Sequence, residues 1–373
     1  MKTKLFFLAS FAFSLFCNAQ NVTIPDAIFK SYLVSNSAIN TNGDAQIQVS
    51  EAVAFTGTID CSSKNIGSLT GIEAFVNLTK LSCFGNLLTN LDVTKNTKLT
   101  SIVCASNQLT SLDVTKNTAL TTLVCENNVL TNLDVSKNTS LTSLDCGGNQ
   151  LASLNVKSNS ALEQLSLNNN PIATLDLTGN PSLMILNAIG ATFTSIDLSK
   201  NTALLLLDFS NGKLTALDVS KIQMLELLIA SNNQLTSVNL KNGNNAGISY
   251  LDLTGNTNLG CIQVDSVDDA NSYTTLEYWV KDANATYNIN CNATLGIGNI
   301  SKNEVKIYPN PTRSFVNWSM TADAEVYNTV GQKVLISKNS SSVDFSKFLN
   351  GVYVVVLKDK NGKEIQRSKI IKN

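Results

Sequence analysis

Residues 99–119 read LTSIVCASNQLTSLDVTKNTA, and the same arrangement of apolar residues returns with a 21-residue period along the middle of the chain. One leucine column keeps this spacing through Leu78, Leu99, Leu120, Leu141, Leu162, Leu183, Leu204 and Leu225. A second column follows three residues behind, through Leu81, Ile102, Leu123, Leu144, Leu165, Leu186, Leu207 and Leu228. A unit of this length cannot bury its apolar face alone, so each unit must stack on its neighbours. The repeat therefore predicts a solenoid with a long, regular surface.

Each unit also alternates apolar and other residues twice. In the quoted unit, Ile102 and Cys104 form one alternating pair, and Leu112 and Val114 form another. This period of two predicts two short strands per coil, so the stacked coils should form two parallel sheets with strands about 4.8 Å apart. The remaining residues of the unit leave no room for a helix. We therefore predict a mainly β solenoid of about nine to ten coils.

The composition limits the classes of function. The chain has 373 residues, of which 43% are apolar and 15% charged, and none is histidine. Residues 20–297 contain 13 lysines, no arginine and 22 acidic residues, whereas residues 298–373 contain 12 basic and 6 acidic ones. Nucleic-acid binding needs clustered cations, which the acidic body lacks. Histidine is the commonest acid–base catalyst, and no serine or cysteine stands beside an evident base, so we predict neither enzyme activity nor a nucleic-acid partner.

The two ends of the chain differ from the repeats. Residues 1–19 are typical of a secretory signal peptide, with Lys2 and Lys4 before an apolar stretch and a cleavage site after Ala19. No later segment is long and apolar enough to span a bilayer, so we predict no transmembrane segment.

These features divide the chain into domains. After the signal peptide we expect an N-terminal cap with a short helix at residues 20–57, the solenoid at 58–260, a C-terminal cap at 261–291 and a linker at 292–303. Six short alternating runs within residues 304–373 predict a small β-sandwich.

The first half of each unit, with the pattern LxxLxCxxNxL, resembles the leucine-rich repeat signature over residues 58–259. The second half, TxLDVTKNT, is a shortened version of it. The resemblance implies that the leucine and cysteine positions point inward, while the intervening strand residues line one exposed face. The helix and loop before the repeats are similar to the N-terminal caps of internalin-type proteins.

The C-terminal segment resembles the sorting domain of type IX secretion, the Por system of some Gram-negative bacteria. The matching segments are residues 308–311 (YPNP), 330–334 (VGQKV), 349–353 (LNGVY) and 369–372 (KIIK). The resemblance implies that the secretion machinery reads residues 304–373. It also implies that the protein is secreted or held at the outer-membrane surface of a Gram-negative bacterium.

Three other columns run through the repeats. Cys83, Cys104, Cys125 and Cys146 take the third inward position, with Cys61 one residue out of phase, and we expect small buried hydrophobes rather than a metal or redox ladder. An asparagine column should satisfy backbone groups in turns: Asn86, Asn107, Asn128, Asn149, Asn170 and Asn233. An aspartate column should pair with lysines three residues later: Asp92, Asp113, Asp134, Asp176, Asp197 and Asp218.

Cys261 and Cys291 bracket the predicted C-terminal cap, and no apolar register explains them. A disulfide between them closes a loop of about 30 residues and, in the chain-entropy model, stabilises the fold by roughly 3–4 kcal/mol. The alternative is a pair of buried, unpaired thiols.

A loop before the first repeat carries oxygen ligands at the spacing of an EF-hand: Asn40, Asn42, Asp44, Gln46, Gln48 and Glu51. The loop departs from that pattern at its first position, where asparagine replaces aspartate, and at Ala45, where glycine is usual. With two charged ligands, the predicted calcium site is weak. The alternative is a cap loop that needs no ion. We predict no other cofactor.

Outward strand positions become apolar late in the solenoid, at Ile185, Ile189, Leu206, Leu227 and Ile229. Contiguous exposed apolar residues usually mark a partner. Contact with the C-terminal cap or the tail is the alternative. We predict an extracellular or cell-surface binding module that recognises a protein or a glycan and contributes to adhesion. A structural surface component is the alternative function, and a hydrolase is less favoured.

Overall fold

A computed structural model describes residues 20–291 and 305–373. The predicted signal peptide, residues 1–19, and the predicted linker, residues 292–303, lie outside the described residues. The chain divides into two compact units between residues 293 and 294. Each unit has its own apolar core. The first unit contains the repeats, and the second contains the tail.

The repeats form a parallel sheet of 11 strands. Its strands are β1 (Thr58–Asp60), β2 (Lys80–Ser82), β3 (Ser101–Val103), β4 (Thr122–Val124), β5 (Ser143–Asp145), β6 (Gln164–Ser166), β7 (Ile185–Asn187), β8 (Leu206–Asp208), β10 (Leu227–Ile229), β12 (Tyr250–Leu253) and β14 (Trp279–Lys281). The mainly β solenoid is confirmed. It has about 11 turns rather than nine to ten, because irregular coils at both ends also contribute strands.

The 21-residue period sets the register of this sheet. Ile102 lies opposite Leu81 on one side and Leu123 on the other, and both leucine columns are buried. The first pair differs, since Ile59 lies opposite Leu81 and this coil is one residue longer than the repeat. The extra residue falls in the segment between β1 and β2, which contains a 3₁₀ helix (Ile72–Ala74). Cys61, which is one residue out of phase in the sequence, therefore stands in the cysteine column of the structure.

The second half-units form a sheet only toward the C-terminal end. Strands β9 (Ala216–Asp218), β11 (Ser237–Asn239), β13 (Cys261–Gln263) and β15 (Thr286–Asn288) pair in parallel. In earlier coils, cavities of about 310 and 330 Å³ open between neighbouring second half-units. The prediction of two sheets along the whole solenoid is therefore wrong, because strand pairing between the described second half-units begins only at β9.

Two helices close the N-terminal end of the core. Helix α1 (Ala27–Ser35) begins at Asp26, whose carboxylate accepts hydrogen bonds from the backbone N–H groups of Ile28 and Phe29. This is the usual way of satisfying the free N–H groups of a first turn. Helix α2 (Val49–Ala54) begins at Gln48, and its Glu51 side chain bonds back to the Gln48 backbone.

Residues 261–291 continue the solenoid as well as ending it. They contribute β13, β14 and β15 to the two sheets, and helix α3 (Val267–Thr275) lies between the first two. Trp279 is fully buried, and its ring centroid lies 5.1 Å from that of Tyr273 and 6.1 Å from that of Tyr287. The solenoid thus extends past the predicted boundary at residue 260.

The tail is a single antiparallel sheet of five strands. They are β16 (Ile307–Tyr308), β17 (Phe315–Tyr327), β18 (Lys333–Asp344), β19 (Gly351–Lys358) and β20 (Glu364–Lys372). The β-rich tail is confirmed, but the described residues form one sheet rather than a sandwich. Two of the predicted runs merge into β17, whose register against β18 shifts between Asn317 and Ala322. Such irregularities bend a strand, so one sheet curves around its own core.

Candidate functional site

The outward face of the 11-stranded sheet carries a line of apolar side chains. Ile185 lies opposite Leu206, and Leu206 lies opposite Leu227, on three successive strands. Ile229 stands two residues after Leu227 on the same side of its strand, and Ile189 follows β7 by two residues. All five side chains are half-buried. We call these five residues the ridge; the register aligns Ile185, Leu206 and Leu227 on successive strands, and the binding role of all five stays a prediction.

Two tyrosines extend the line of the ridge. Tyr250 lies opposite Leu227 and is 38% exposed. Tyr278 is 55% exposed, and its carbonyl accepts a hydrogen bond from the N–H of Leu251. The 21-residue register misses both tyrosines, because the last coils are longer than the repeat. The alternation in residues 250–253 (YLDL), which matches residues 206–209 (LLDF), was a signal for Tyr250.

A polar cavity of about 250 Å³ adjoins the ridge. Glu126, Asp145, Gln164 and Asn168 line it together with Ile185. Burial raises the pKa of the Glu126 carboxyl, and the nearby negative charge of Asp145 raises it further. Because Ile185 belongs both to the ridge and to the wall of this cavity, the two form one continuous surface.

The predicted calcium loop has a different hydrogen-bond pattern from a preformed ion site. One Glu51 carboxylate oxygen accepts from the backbone N–H groups of Thr41 and Asn42, and the other accepts from that of Gln48. Asn40 Nδ2 donates to the carbonyls of Val34 and Asp44. A cation would compete with these backbone donors for Glu51. Calcium binding by the six predicted ligands stays a prediction.

We predict that millimolar calcium raises the Tm of the protein and that Glu51→Ala removes this rise. Glu51→Ala should also lower the Tm without calcium, because its carboxylate caps α2 and holds three backbone N–H groups. These hydrogen bonds keep its pKa below the ordinary value of 4.5 although burial opposes them. The Glu51 contribution to stability is therefore present above that pH and is lost on acidification.

Thermal melts with EDTA and with calcium up to about 10 mM test the loop, since extracellular sites bind in the millimolar range. Glu163→Ala, which removes an exposed carboxylate elsewhere on the solenoid, is the control. A wild-type Tm that does not respond to calcium would leave the loop as a cap alone.

Cys261 and Cys291 are joined by a disulfide, with their Cα atoms 5.8 Å apart. The bond ties the last described residue of the first unit to strand β13. Closing a loop of about 30 residues stabilises a fold by roughly 3–4 kcal/mol in the chain-entropy model.

The five other described cysteines are buried and carry free thiols. Burial raises the pKa of Cys61, Cys104 and Cys146 to about 12. Because the thiolate is the reactive form, these protonated thiols are unreactive and pack in the core as small apolar side chains. This agrees with the prediction of small buried hydrophobes.

The predicted asparagine column satisfies backbone groups between coils. Asn128 Nδ2 donates to the carbonyls of Cys104 and Cys125, and its Oδ1 accepts from the N–H of Leu109. Each member thus joins two successive coils, and the structural role predicted for this column is confirmed.

A second asparagine column lies deeper and was not predicted. Its fully buried members are Asn96, Asn117, Asn138, Asn159, Asn180 and Asn201. Asn138 Nδ2 donates to the carbonyls of Val114 and Asn117, at 2.9 Å each. Its Oδ1 has no hydrogen-bond partner among the described residues. The polar context of these residues suggests an exposed turn, but their unbroken 21-residue spacing was a signal of burial.

The aspartate column works differently from the prediction. Asp113 Oδ1 accepts from the backbone N–H and the hydroxyl of Thr115, at 2.8 and 2.7 Å. Such bonds two residues along the chain are typical of Asx turns. Within residues 20–291 the ion pair found is Lys157 with Asp176, which joins two coils. Among the described residues, the lysines three residues later form no direct ion pair with these aspartates, because the turn directs each carboxylate back to its own backbone. The positive charge of Lys116 still helps to lower the pKa of Asp113, after the hydrogen bonds from Thr115.

In the tail, the YPNP segment holds the last strand. Asn310 Nδ2 donates to the carbonyl of Lys369 at 2.7 Å, and its Oδ1 accepts from the N–H of Ile371 at 2.9 Å. The N–H of Thr312 donates to the Ile371 carbonyl at 2.8 Å. Two of the four predicted motifs are therefore in direct contact.

The other two tail motifs shape a turn and the core. Gly331 takes a left-handed backbone conformation, with φ of 81°, in the turn between β17 and β18. Tyr353 packs against Phe345 and Phe348, and its hydroxyl donates to the Leu349 carbonyl at 2.9 Å. The motifs that carry the resemblance thus also maintain the fold of the tail.

Across the described ranges, 20–291 and 305–373, no helix has the length and apolar character to cross a membrane. In the same ranges, no three cysteine or acidic side chains converge as a metal site would require.

Comparison with known proteins identifies the tail. Residues 306–373 match the family described as the secretion system C-terminal sorting domain. No curated protein matches the chain.

Several solved structures resemble the solenoid. The functional domain of InlJ from Listeria monocytogenes, described as including a cysteine ladder, is 23% identical over 95% of this chain and 98% of that chain, with a TM-score of 0.47. Internalin C2 from the same organism is 19% identical over 54% and 91%, with a TM-score of 0.48. A leucine-rich repeat protein from Leptospira interrogans is 24% identical over 60% and 59%, with a TM-score of 0.49. The present chain is a parallel β solenoid with a 21-residue repeat, and it is joined to a tail that matches the secretion system C-terminal sorting domain, which indicates a secreted or cell-surface protein.

Proposed function

We propose that the solenoid is an extracellular binding module that holds a protein partner on the ridge and acts in adhesion at the surface of a Gram-negative bacterium. The observation that carries this proposal is the run of half-buried apolar side chains on the outward face of the sheet. Contiguous apolar surface of this kind usually marks a binding site. The tail, which the type IX machinery would recognise, supports a location where such a partner can be met.

A protein partner is favoured over a glycan by the composition of the ridge. Its five members are isoleucine and leucine, whose contacts are non-directional, whereas sugar recognition relies on polar groups that meet hydroxyls. A structural surface component is the alternative function. Self-association of the purified solenoid at micromolar concentration would favour it. No catalytic role is proposed.

Leu206→Asp should weaken partner binding by about tenfold or more, since a charge in the middle of an apolar contact loses both packing and solvation. The measurement is binding of the purified protein to an array of extracellular proteins and glycans. Leu206 is half-buried between Ile185 and Leu227, so the same change should lower the free energy of unfolding by only about 1 kcal/mol.

Thr122→Asp is the matched control. Thr122 stands in the same outward column, four coils before Leu206, and it is also half-buried. The control adds the same charge away from the ridge and should leave binding unchanged. Equal binding by wild type and Leu206→Asp, with both folded, would move the binding site away from the ridge. Binding confined to the glycans would contradict a protein partner.

A further inference from the structure

The sheet face around the ridge carries negatively charged side chains and no positively charged ones. We define this face as the outward and edge positions of β3 to β8, β10 and β12, which fall between residues 100 and 254. It carries six acidic residues: Glu126, Asp145, Glu163, Asp208, Glu226 and Asp252. No lysine or arginine occupies any of these positions. The nearest basic residues of the same coils stand in the second half-units and the turns.

The acidic residues lie on both sides of the ridge. Glu226 comes directly before Leu227 at the edge of the face, and it is exposed. Asp208 stands two residues after Leu206, which places it on the same side of β8. Asp208 also lies opposite Ile229 on the neighbouring strand. The apolar contact surface is therefore bordered by carboxylates on neighbouring positions of the same strands.

The polar cavity continues this pattern at one end of the ridge. Glu126 and Asp145 line it, and Ile185 forms part of its wall. No ion pair reaches either carboxylate within the described residues. Two like charges at one surface repel each other, and a cation placed between them relieves that repulsion.

The rest of the solenoid does not share this imbalance. Turn hydrogen bonds do not make this difference, because Asp208 accepts from the N–H and hydroxyl of Ser210 just as Asp113 does from those of Thr115. The second half-units differ because lysines stand among their aspartates, and Lys157 pairs with Asp176 at 2.7 Å. Acidic residues without interspersed lysines or arginines are thus a property of the ridge face.

We infer that the ridge accepts a cationic, apolar protein segment, whose aliphatic or aromatic side chains cover the ridge while its lysines or arginines meet the bordering carboxylates. This inference rests on the proposed binding function and names the chemistry of the partner. Charge complementarity of this kind sets specificity and association rate, and it excludes acidic partners and anionic membranes. Because the carboxylates are near the surface, salt should weaken the contact.

Short synthetic helical peptides, each about four helical turns long, test the inference on the full mature chain. One has leucines along a single helical face and lysines elsewhere. A second has glutamates in place of the lysines, and a third has serines in place of the leucines. The first should bind at least about tenfold more tightly than either of the others, because the face combines apolar contact with negative charge. Raising the salt from about 50 to about 300 mM should weaken its binding severalfold.

Two triple variants locate the effect. E163Q/D208N/E226Q removes charge beside the ridge and should weaken the lysine peptide by about fivefold. D113N/D134N/D197N removes the same charge from the second half-units and should change its binding by less than about twofold. Asparagine preserves the turns there, since Asn155 already makes the equivalent bond to the N–H of Lys157.

Equal effects of the two triple variants would overturn the inference, because they would show general attraction to an acidic protein. So would glutamate-peptide binding as tight as lysine-peptide binding, or no binding of any peptide. These failures are separable from failure of the proposed function. A protein partner whose capture is lost in Leu206→Asp but is insensitive to E163Q/D208N/E226Q would keep the binding function and reject the cationic partner.

Discussion

A chain that ends at residue 304 should fold its solenoid and yet fail to reach the cell surface. The tail is a separate compact unit with its own core, so its removal leaves the buried residues of the solenoid covered. Residues 306–373 match the sorting domain, whose role is export. We expect the shortened protein to accumulate in the periplasm, as measured by cell fractionation and by protease accessibility on intact cells.

The reciprocal experiment is the control for this prediction. Residues 305–373 fused to a periplasmic reporter should carry the reporter to the surface, while the reporter alone stays behind. Far-ultraviolet circular dichroism and the Tm of the shortened chain should match those of the full-length solenoid transition. Normal surface delivery of the chain that ends at residue 304 would contradict the assignment of the tail.

Much of the solenoid could be predicted because the period of the sequence directly determines which residues pack against each other in neighbouring coils. A leucine that returns once in every coil must stand opposite itself in the next coil, and the alignment of Ile185, Leu206 and Leu227 follows directly. The prediction of which residues align was less accurate where the coils change length. Tyr250 and Tyr278 join the same line through longer coils, so a fixed register could not place them.

Hydrogen-bond partners were harder to predict than positions. Asp113 and a lysine three residues later are close in sequence, but the turn between them gives the carboxylate a backbone N–H first. Glu51 similarly resembles a closing calcium ligand, whereas in the fold it caps a helix. In both places, the local backbone geometry decides which N–H or O–H group donates to the carboxylate oxygen. The spacing of residue types along the sequence does not reveal this geometry.

The hydrogen-bond partners that bury the second asparagine column could not be read from its 21-residue spacing alone. Asn107 and Asn117 both repeat with the same period, and both lie in polar segments. Asn117 is fully buried and donates to the carbonyls of Val93 and Asn96. Those carbonyls belong to the preceding coil, so the demand that buries Asn117 exists only once coils are stacked.

Asn138→Asp should strongly destabilise the solenoid. Asn138 is fully buried, and its Nδ2 donates to the carbonyls of Val114 and Asn117. In the part of the chain that the structure describes, its Oδ1 has no hydrogen-bond partner. A carboxylate there would face two carbonyl oxygens without any compensating N–H. An unpaired buried charge of this kind costs about 3–5 kcal/mol, a large part of the stability of most domains.

The pH dependence of the stability of this variant separates the effect of the buried negative charge from the effect of the changed side-chain shape. The new carboxyl escapes its penalty by staying protonated, so its pKa in the folded state should be raised. A raised pKa means that the variant is least destabilised at low pH and loses stability as the pH rises through the ordinary carboxyl range near about 4 and beyond. Urea unfolding of the variant and the wild type at acidic and neutral pH measures this difference.

Asn132→Asp, six residues earlier in the same coil, is the matched control. Asn132 is exposed, so the same substitution there adds a solvated charge and should change the free energy of unfolding by less than about 0.5 kcal/mol at either pH. If Asn138→Asp were as stable as this control at neutral pH, the inner asparagine column would not be bound to the neighbouring coil. The contact between successive coils would then depend on the leucine columns and on the asparagine column that includes Asn128.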